Sequence, residues 1–149
     1  MHKIIVGTIS IFILILLQCK KQEIYPSSNI VLYNQPLNVI KVNINGSWRL
    51  CYVKGGYCAV CPPRIYPHVF FDFLDHDQVI VRDSNLVWAD TKINWMYLKD
   101  TFGDYTNTLN FISKDSIPES YIVDRIKNDT LLLLDNAFDY QTYFLIRSN

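Results

Sequence analysis

The sequence has no excess of charge of either sign. Its 149 residues include 14 Lys and Arg and 14 Asp and Glu, so the formal net charge is zero at pH 7. Proteins that bind nucleic acids usually carry a basic patch or stripe that neutralises phosphates. We therefore expect no nucleic-acid partner for this chain.

Recognisable catalytic motifs are also missing. The chain contains no nucleophile elbow, no His-Glu-x-x-His zinc motif and no glycine-rich phosphate loop. Only two histidines, His68 and His76, lie beyond the first few residues. Carboxylates can act from any strand without a motif, but nothing in the sequence indicates such a site. The sequence predicts neither an enzyme nor a bound cofactor.

The apolar run near the start of the chain is too short to span a membrane. Residues 4–17 are uncharged and follow Lys3. A transmembrane helix needs about 20 apolar residues, whereas the core of a signal peptide needs only about 7–15 behind a short basic segment. Residues 1–18 are therefore predicted to be a secretory leader.

The residues after this run, Leu16-Leu17-Gln18-Cys19, resemble the lipobox of bacterial lipoproteins. Gln18 departs from the pattern, which usually has Gly, Ala or Ser before the cysteine. The resemblance implies that the leader is cleaved before Cys19 and that Cys19 is acylated, so that membrane lipid is a partner. The alternative is an uncleaved N-terminal anchor. Both place the protein in the cell envelope, and the resemblance implies an outer-membrane lipoprotein that faces the periplasm or the cell surface.

The chain after the lipobox divides into a tether and a domain. Residues 19–37 show little periodicity and are interpreted as a lipid-anchored tether. From residue 38 to 149 apolar residues recur mostly with a period of two, which predicts strands. Turn residues separate these strands, as at Asp75–Gln78 and Asn128-Asp129. The only helical turn expected lies within Asp115–Ser120.

About eight strands follow from this pattern, with nine candidate segments. The predicted segments are Gly46–Val53, Val69–Leu74, Val79–Arg82, Leu86–Ala89, Ile93–Leu98, Thr108–Ser113, Tyr121–Lys127, Thr130–Leu134 and Gln141–Arg147. Short antiparallel strands with frequent turns are typical of sandwiches and barrels. The class is therefore all-β, and a small antiparallel barrel would remove the exposed edges that an open sandwich keeps.

Several short motifs resemble lipocalin-like domains of bacterial lipoproteins. Gly46-Ser47-Trp48 matches the Gly-x-Trp that opens their first strand. Val69–Phe73 with the following turn is similar to their second hairpin, and the segments 128–134 and 143–147 are similar to their closing strands. The resemblance implies a lipocalin-like barrel in which Arg147 packs across Trp48 and closes one end. The alternative is that Arg147 is simply a solvated terminal residue.

Three cysteines lie close together in and after the first strand. Cys51, Cys58 and Cys61 cannot all pair within one chain, so the alternatives are a Cys51–Cys58 disulfide, a Cys58–Cys61 disulfide, or none. Cys58 and Cys61 also have the spacing of a thiol redox motif, and with Cys51 and His68 they could form a zinc set. We predict no metal site. His76, between two aspartates, is interpreted as a turn residue.

The arrangement of the aromatic side chains inside the barrel would distinguish two possible functions. They could line a cup for a ligand, or they could fill the barrel completely. The residues considered for the cup are Tyr52, Tyr57, Tyr66, Phe70, Trp88, Trp95, Tyr97, Phe111, Tyr140 and Tyr143. A cup predicts a binding module for a small hydrophobic ligand, and a filled barrel predicts a structural lipoprotein whose partner is another envelope protein.

Overall fold

Eleven strands and one helix form the described part of the chain. The computed structural model describes residues 28–56, 61–137 and 140–148. The elements are β1 (Asn29–Val31), α1 (Leu37–Ile44), β2 (Gly46–Gly55), β3 (Arg64–Ile65), β4 (Val69–Leu74), β5 (Gln78–Asp83), β6 (Leu86–Lys92), β7 (Asn94–Lys99), β8 (Tyr105–Ile112), β9 (Pro118–Lys127), β10 (Thr130–Asp135) and β11 (Gln141–Arg147). A short 3-10 turn, Asp75–Asp77, joins β4 to β5.

Nine of these strands form one continuous antiparallel sheet. Their order is β6-β5-β4-β2-β11-β10-β9-β8-β7, with β1 paired to β9 and β3 paired to β2. Most neighbours also follow one another along the chain, and β11 returns to pair with β2. The sheet is thus a curled meander whose last strand meets its first. The predicted all-β class and the antiparallel, lipocalin-like barrel architecture are confirmed.

Strands β6 and β7 are two halves of one bent strand. They lie at opposite ends of the sheet order, yet only Ile93 separates them in the chain. Reversing a chain between antiparallel strands takes a loop of about two residues or more, so β7 continues in the direction of β6. The first half pairs with β5 and the second half pairs with β8. Counted once, this strand gives eight positions around the sheet, as the sequence predicts.

Three strands contain a β-bulge, a residue that the pairing register skips. The bulged residues are Cys51 in β2, Trp88 in β6 and Asp124 in β9. Each bulged carbonyl accepts a hydrogen bond from a segment outside its strand pair. The donors are the amides of Tyr66 to Cys51 at 3.2 Å, Lys114 to Trp88 at 2.7 Å, and Leu32 and Tyr33 to Asp124 at 2.8 Å. The bulges therefore attach three further segments to the sheet.

The residues just before position 38 belong to the fold, which corrects the predicted tether at 19–37. β1 pairs with β9, and Leu32 is completely buried. The Tyr33 hydroxyl donates to Asp100 Oδ2 at 2.6 Å. A three-residue strand is too short to show a period of two, which is why the sequence pattern did not reveal it. Residues 19–27 of the predicted tether, like the predicted leader, lie outside the described residues.

Helix α1 occupies a segment where the sequence analysis expected strands. Leu37, Ile40 and Ile44 recur at helical spacing, and both isoleucines are buried in the core. Pro36 precedes the first turn, where its missing N–H costs nothing. The helical turn expected at Asp115–Ser120 was also wrong, because β9 already begins at Pro118.

Trp48 and Arg147 close the end of the sheet that carries α1. Trp48 is completely buried, and its indole Nε1 donates to the Ile44 carbonyl at 2.6 Å. The Arg147 guanidinium lies 4.2 Å from the centroid of the Trp48 ring. Its two terminal nitrogens donate to the carbonyls of Asn43 at 3.1 Å and Asn45 at 3.3 Å. The expected contact is present, and it also provides partners for carbonyls at the end of the helix.

Gly46 is required by this closure. Its φ is +120°, a backbone conformation that residues with a side chain rarely adopt. A Cβ at this position would lie 3.4 Å from Arg147 Nη1. Such a Cβ would only touch the guanidinium, so the first residue of the Gly-x-Trp motif is glycine because of its backbone conformation.

We predict that Arg147→Ala lowers the free energy of unfolding by about 1–3 kcal/mol, because it removes a cation–π contact and leaves two helix carbonyls without their donors. Urea unfolding followed by tryptophan fluorescence measures the change. Arg125→Ala is the matched control, since Arg125 is exposed and pairs only with its neighbour Asp124, a kind of pair that contributes about 1 kcal/mol at most. Equal losses for the two variants would contradict the closing role of Arg147.

Candidate functional site

The curled sheet surrounds a cavity of about 260 Å³. Its apolar lining consists of Leu50, Val53, Val69, Phe71, Val81, Ala89 and Phe111. Its other lining side chains are Arg64, Tyr66, Trp88, Ser113, Glu119, Tyr121, Gln141 and Tyr143. This volume is slightly below the range of about 300–1,000 Å³ that ligand pockets commonly measure, so the cavity suits only a small molecule. The interior is therefore not completely filled by its own side chains.

The cavity lies toward the end of the sheet opposite α1. β2 starts directly after the helix and runs away from it, and antiparallel pairing then fixes the direction of every other strand. The lining residues Gln141 and Glu119 stand near the starts of β11 and β9, whereas Arg147 stands at the end of β11. The closed end and the cavity therefore occupy different ends of the same sheet.

Period-two alternation brings the polar lining together. On β9, Glu119 and Tyr121 point to the same face of the strand as Val123, and on β11, Gln141 and Tyr143 point to the same face as Leu145. Glu119 pairs across the sheet with Phe111 of β8. These strands together build one polar and aromatic wall of the cavity.

Trp88 reaches the rim of the cavity because of the bulge in β6. The adjacent Ala89 is almost completely buried, whereas Trp88 is 42% exposed. Both residues line the cavity, although consecutive residues of a regular strand face opposite sides. The Lys114 amide, in the segment after β8, donates a hydrogen bond to the Trp88 carbonyl. This bond links β6 to that segment in the half of the bent strand that does not pair with β8.

Tyr121 lies at the centre of the wall. Its ring makes an edge contact with Tyr143, with 5.1 Å between centroids, and stacks on Phe111 at 6.0 Å. Phe71 meets it edge-on at 6.3 Å. The Tyr121 hydroxyl donates to Glu119 Oε2 at 2.8 Å. The cavity is thus lined by aromatic rings beside one half-buried carboxylate.

Burial shifts the ionisation of both tyrosines of the wall. It raises the pKa of Tyr121 far above its usual value, and the nearby Tyr143 and Glu119 raise that pKa further. Burial, with a smaller contribution from the charge of Asp135, raises the pKa of Tyr143 to about 12. Both hydroxyls therefore keep their protons over the whole physiological range and remain hydrogen-bond donors.

Comparison with protein-family models, curated proteins and solved structures gives no match for this chain. Membership of the lipocalin-like and lipoprotein families stays a prediction. Among the described residues, no helix is both long enough and apolar enough to cross a membrane.

Four of the ten aromatic residues considered for the cup line the cavity, namely Tyr66, Trp88, Phe111 and Tyr143. Five others lie elsewhere, which are Tyr52, Phe70, Trp95, Tyr97 and Tyr140, and Tyr57 is outside the described residues. The sequence analysis missed Phe71, Tyr121 and Glu119. Alternation with Val69 and Phe73 was the available signal for Phe71, and the spacing between Glu119 and Tyr121 was the signal for the wall.

The structure narrows the cysteine alternatives. Cys51 is a free thiol and Cys61 is disulfide-bonded. The alternatives of a Cys51–Cys58 disulfide and of no pairing are therefore wrong, while Cys58 itself lies outside the described residues. The zinc set with His68 is also ruled out in this state, because a disulfide-bonded Cys61 has no thiolate to offer. Cys19 is likewise outside the described residues.

The aspartates beside His76 bind side chains of other elements. Asp77 accepts hydrogen bonds from Lys41 Nζ at 2.9 Å and from Trp95 Nε1 at 2.9 Å. Asp75 accepts one from Asn45 Nδ2 at 3.2 Å. His76 is exposed and has a φ of +62° in the turn. These contacts attach the β4–β5 turn to α1 and β7.

We predict that the protein loses stability as the pH rises from 10 to about 12, because Tyr143 holds its proton more tightly when folded than when unfolded, where its pKa is 10.0. This contribution is complete below pH 10 and disappears as Tyr143 ionises. Chemical unfolding at several pH values, with tyrosinate absorbance as a second readout, measures it. Tyr143→Phe should make the decline less steep over this interval, although Tyr121, whose pKa is also raised, still contributes to it, whereas Tyr97→Phe, which removes an exposed hydroxyl, should leave the slope unchanged. The same slope in Tyr143→Phe and in the unchanged protein would contradict the assignment.

Proposed function

We propose that this domain binds a small, largely apolar molecule in the cavity. The observation that carries the proposal is the cavity itself, which is lined by seven apolar side chains and one continuous polar and aromatic wall. Sites for small molecules are usually concave, mostly apolar, and supplied with a few polar groups that orient the ligand. The cavity meets each of these conditions.

Access to the cavity supports a ligand that enters from solution. Trp88 at the rim is partly exposed, and Arg64, also a lining residue, lies in the exposed short strand β3. The deeper residues Phe71, Phe111 and Tyr121 are nearly inaccessible. A ligand would therefore place its apolar part against these rings and its polar part near the rim.

The leader and the lipobox support a place in the cell envelope for this activity. An acylated Cys19 would hold the domain at a membrane, since each buried CH₂ contributes about 0.8 kcal/mol. In this proposal the protein is an outer-membrane lipoprotein of the lipocalin-like kind that presents its cavity to the periplasm or the cell surface. It carries the ligand rather than converting it.

A protein partner in the envelope is the second candidate. Exposed isoleucines favour it, because Ile112 and Ile117 are 60% and 54% exposed on either side of the β8–β9 turn. That turn also carries the rim residue Ser113. A partner that covers the turn would lie beside the entrance of the cavity.

We predict that the purified protein binds phenethyl alcohol with one site per chain, and that Ala89→Leu weakens this binding at least about tenfold because the added side chain occupies the cavity. Isothermal titration calorimetry in lipid nanodiscs, with empty nanodiscs as the blank, measures the affinity. Native mass spectrometry of the untreated protein would also detect a co-purified apolar molecule.

The matched control for this experiment is Val87→Leu. Val87 lies on the same strand, two residues from Ala89, and does not line the cavity. It should bind the alcohol as the unchanged protein does. Equal affinity for Ala89→Leu and the unchanged protein would place the binding outside the cavity and refute the proposal.

We predict that Cys19→Ala abolishes incorporation of labelled palmitate when the full chain is expressed in a bacterium that processes lipoproteins. The reason is that the diacylglycerol is joined to the cysteine sulfur. Cys51→Ala, which removes a free thiol from β2, is the control and should retain the label. Label retained in Cys19→Ala would contradict the lipoprotein assignment.

A further inference from the structure

The cavity has a charge arrangement that the proposed function does not explain. Of its lining residues, only Arg64 and Glu119 carry charged side chains. They are not equivalent. Arg64 is exposed, and its Nη2 donates to Gln141 Oε1 at 2.6 Å. Glu119 is half-buried and bonds to the nearly inaccessible Tyr121.

Glu119 has no cationic partner among the described residues. The ion pairs there join Lys41 to Asp77, Arg82 to Asp72 and Arg125 to Asp124. A carboxylate that is partly removed from water is stabilised by a nearby cation or by several donors. In this part of the chain Glu119 has one neutral donor, the Tyr121 hydroxyl. A cation inside the cavity would supply the missing partner.

Within the wall, Glu119 and Tyr121 offer acceptors to a bound molecule. The hydrogen of the Tyr121 hydroxyl is directed to Glu119, so only its oxygen lone pairs remain for a ligand. The raised pKa of Tyr121 keeps this arrangement intact at physiological pH. Beside Glu119 and Tyr121, a ligand group that donates hydrogen bonds therefore fits better than one that accepts them.

Aromatic rings in the same cavity act in the same direction. Phe71, Phe111 and Tyr143 surround Tyr121 with centroid distances of 5.1–6.3 Å. The faces of such rings carry partial negative charge and attract cations, by about 0.5–2 kcal/mol for each favourable contact. A carboxylate and several aromatic rings in one partly desolvated cavity therefore select for positive charge.

We infer that the ligand of this cavity is an organic ammonium, with an apolar body that packs among the rings and a positively charged nitrogen that faces Glu119. This inference rests on the proposed function and names its ligand class. A primary or substituted ammonium with a small aryl or alkyl group fits the volume. A carboxylate ligand that uses Arg64 is the competing arrangement.

The test compares three probes that share a phenylalkyl body and differ in their polar group, namely phenethylammonium, phenethyl alcohol and hydrocinnamate. Titration calorimetry of the full-length protein in nanodiscs, at neutral pH, gives each affinity. We expect phenethylammonium to bind about tenfold more tightly than the alcohol, which corresponds to about 1.4 kcal/mol. Hydrocinnamate should bind more weakly than both.

Two isosteric variants test the role of each charge. Glu119→Gln keeps the size of the side chain and an oxygen that can accept from Tyr121, so it should reduce the preference for ammonium to about threefold or less, with the loss of affinity larger for phenethylammonium than for the alcohol. Arg64→Gln removes the other charge and should retain the preference. The alcohol also reports whether each variant still has a formed cavity.

The outcomes separate the inference from the proposed function. If the alcohol binds and phenethylammonium binds no better, the inference is overturned and the apolar site remains. Tighter binding of hydrocinnamate, lost in Arg64→Gln, would also overturn it in favour of a carboxylate ligand. If no probe binds at millimolar concentration, the proposed function fails and the inference fails with it.

Discussion

The pairing of β2 with β11 is the contact on which the other features of the fold depend. A meander of antiparallel strands has two free edges unless its first and last strands meet. Here the register brings Trp48 opposite Arg147, so the same pairing that joins the edges also places a guanidinium over an indole. The helix that precedes β2 is fixed at the same point, because its last carbonyls accept from both side chains.

The cavity lies beside the bent strand formed by β6 and β7, where the pairing changes from β5 to β8. The long strand that bends at Ile93 leaves β5 for β8 halfway along its length, and so the last two residues of β8, Phe111 and Ile112, have no partner on it. The bulge at Trp88 lies in the first half, and its carbonyl accepts from Lys114 where ladder hydrogen bonds are missing. A bulge adds a residue and redirects side chains. As a result β6 stays attached to the segment after β8, and the Trp88 side chain is directed to the rim of the cavity.

Most strands could be predicted from the sequence because one face of each is buried and a period of two reveals it. The segments at Val69–Leu74 and Gln141–Arg147 have the same bounds in the structure as in the prediction. The prediction failed where this physical signal is absent. β1 is too short to alternate, and α1 has only two turns in which apolar residues can recur.

The site was harder to predict than the strands because bulges change which face a residue occupies. Trp48 and Leu50 point inward, and continued alternation would make Tyr52 point inward too. The bulge at Cys51 reverses the phase, so that Val53 is buried and Tyr52 stacks outside on Phe144 at 4.4 Å. Phe70 and Phe71 are adjacent and identical, so the residue type cannot tell which one faces the cavity. Only the alternation with Val69 and Phe73 shows that Phe71 points inward, whereas Phe70 lies outside under Arg82. A single sequence shows the period but not the interruptions of the register.

The two ends of the sheet show how stability and binding are divided. At the α1 end the Trp48 indole and both terminal nitrogens of Arg147 donate to backbone carbonyls, which is the arrangement expected of a structural element. In the cavity, Glu119 and Tyr121 are taken partly out of water for one hydrogen bond between them. Apolar residues of similar volume would fill this space at lower cost, since burying an ionised group is seldom favourable for folding alone. A carboxylate placed among aromatic rings is therefore better explained by what enters the cavity than by the stability of the sheet that surrounds it.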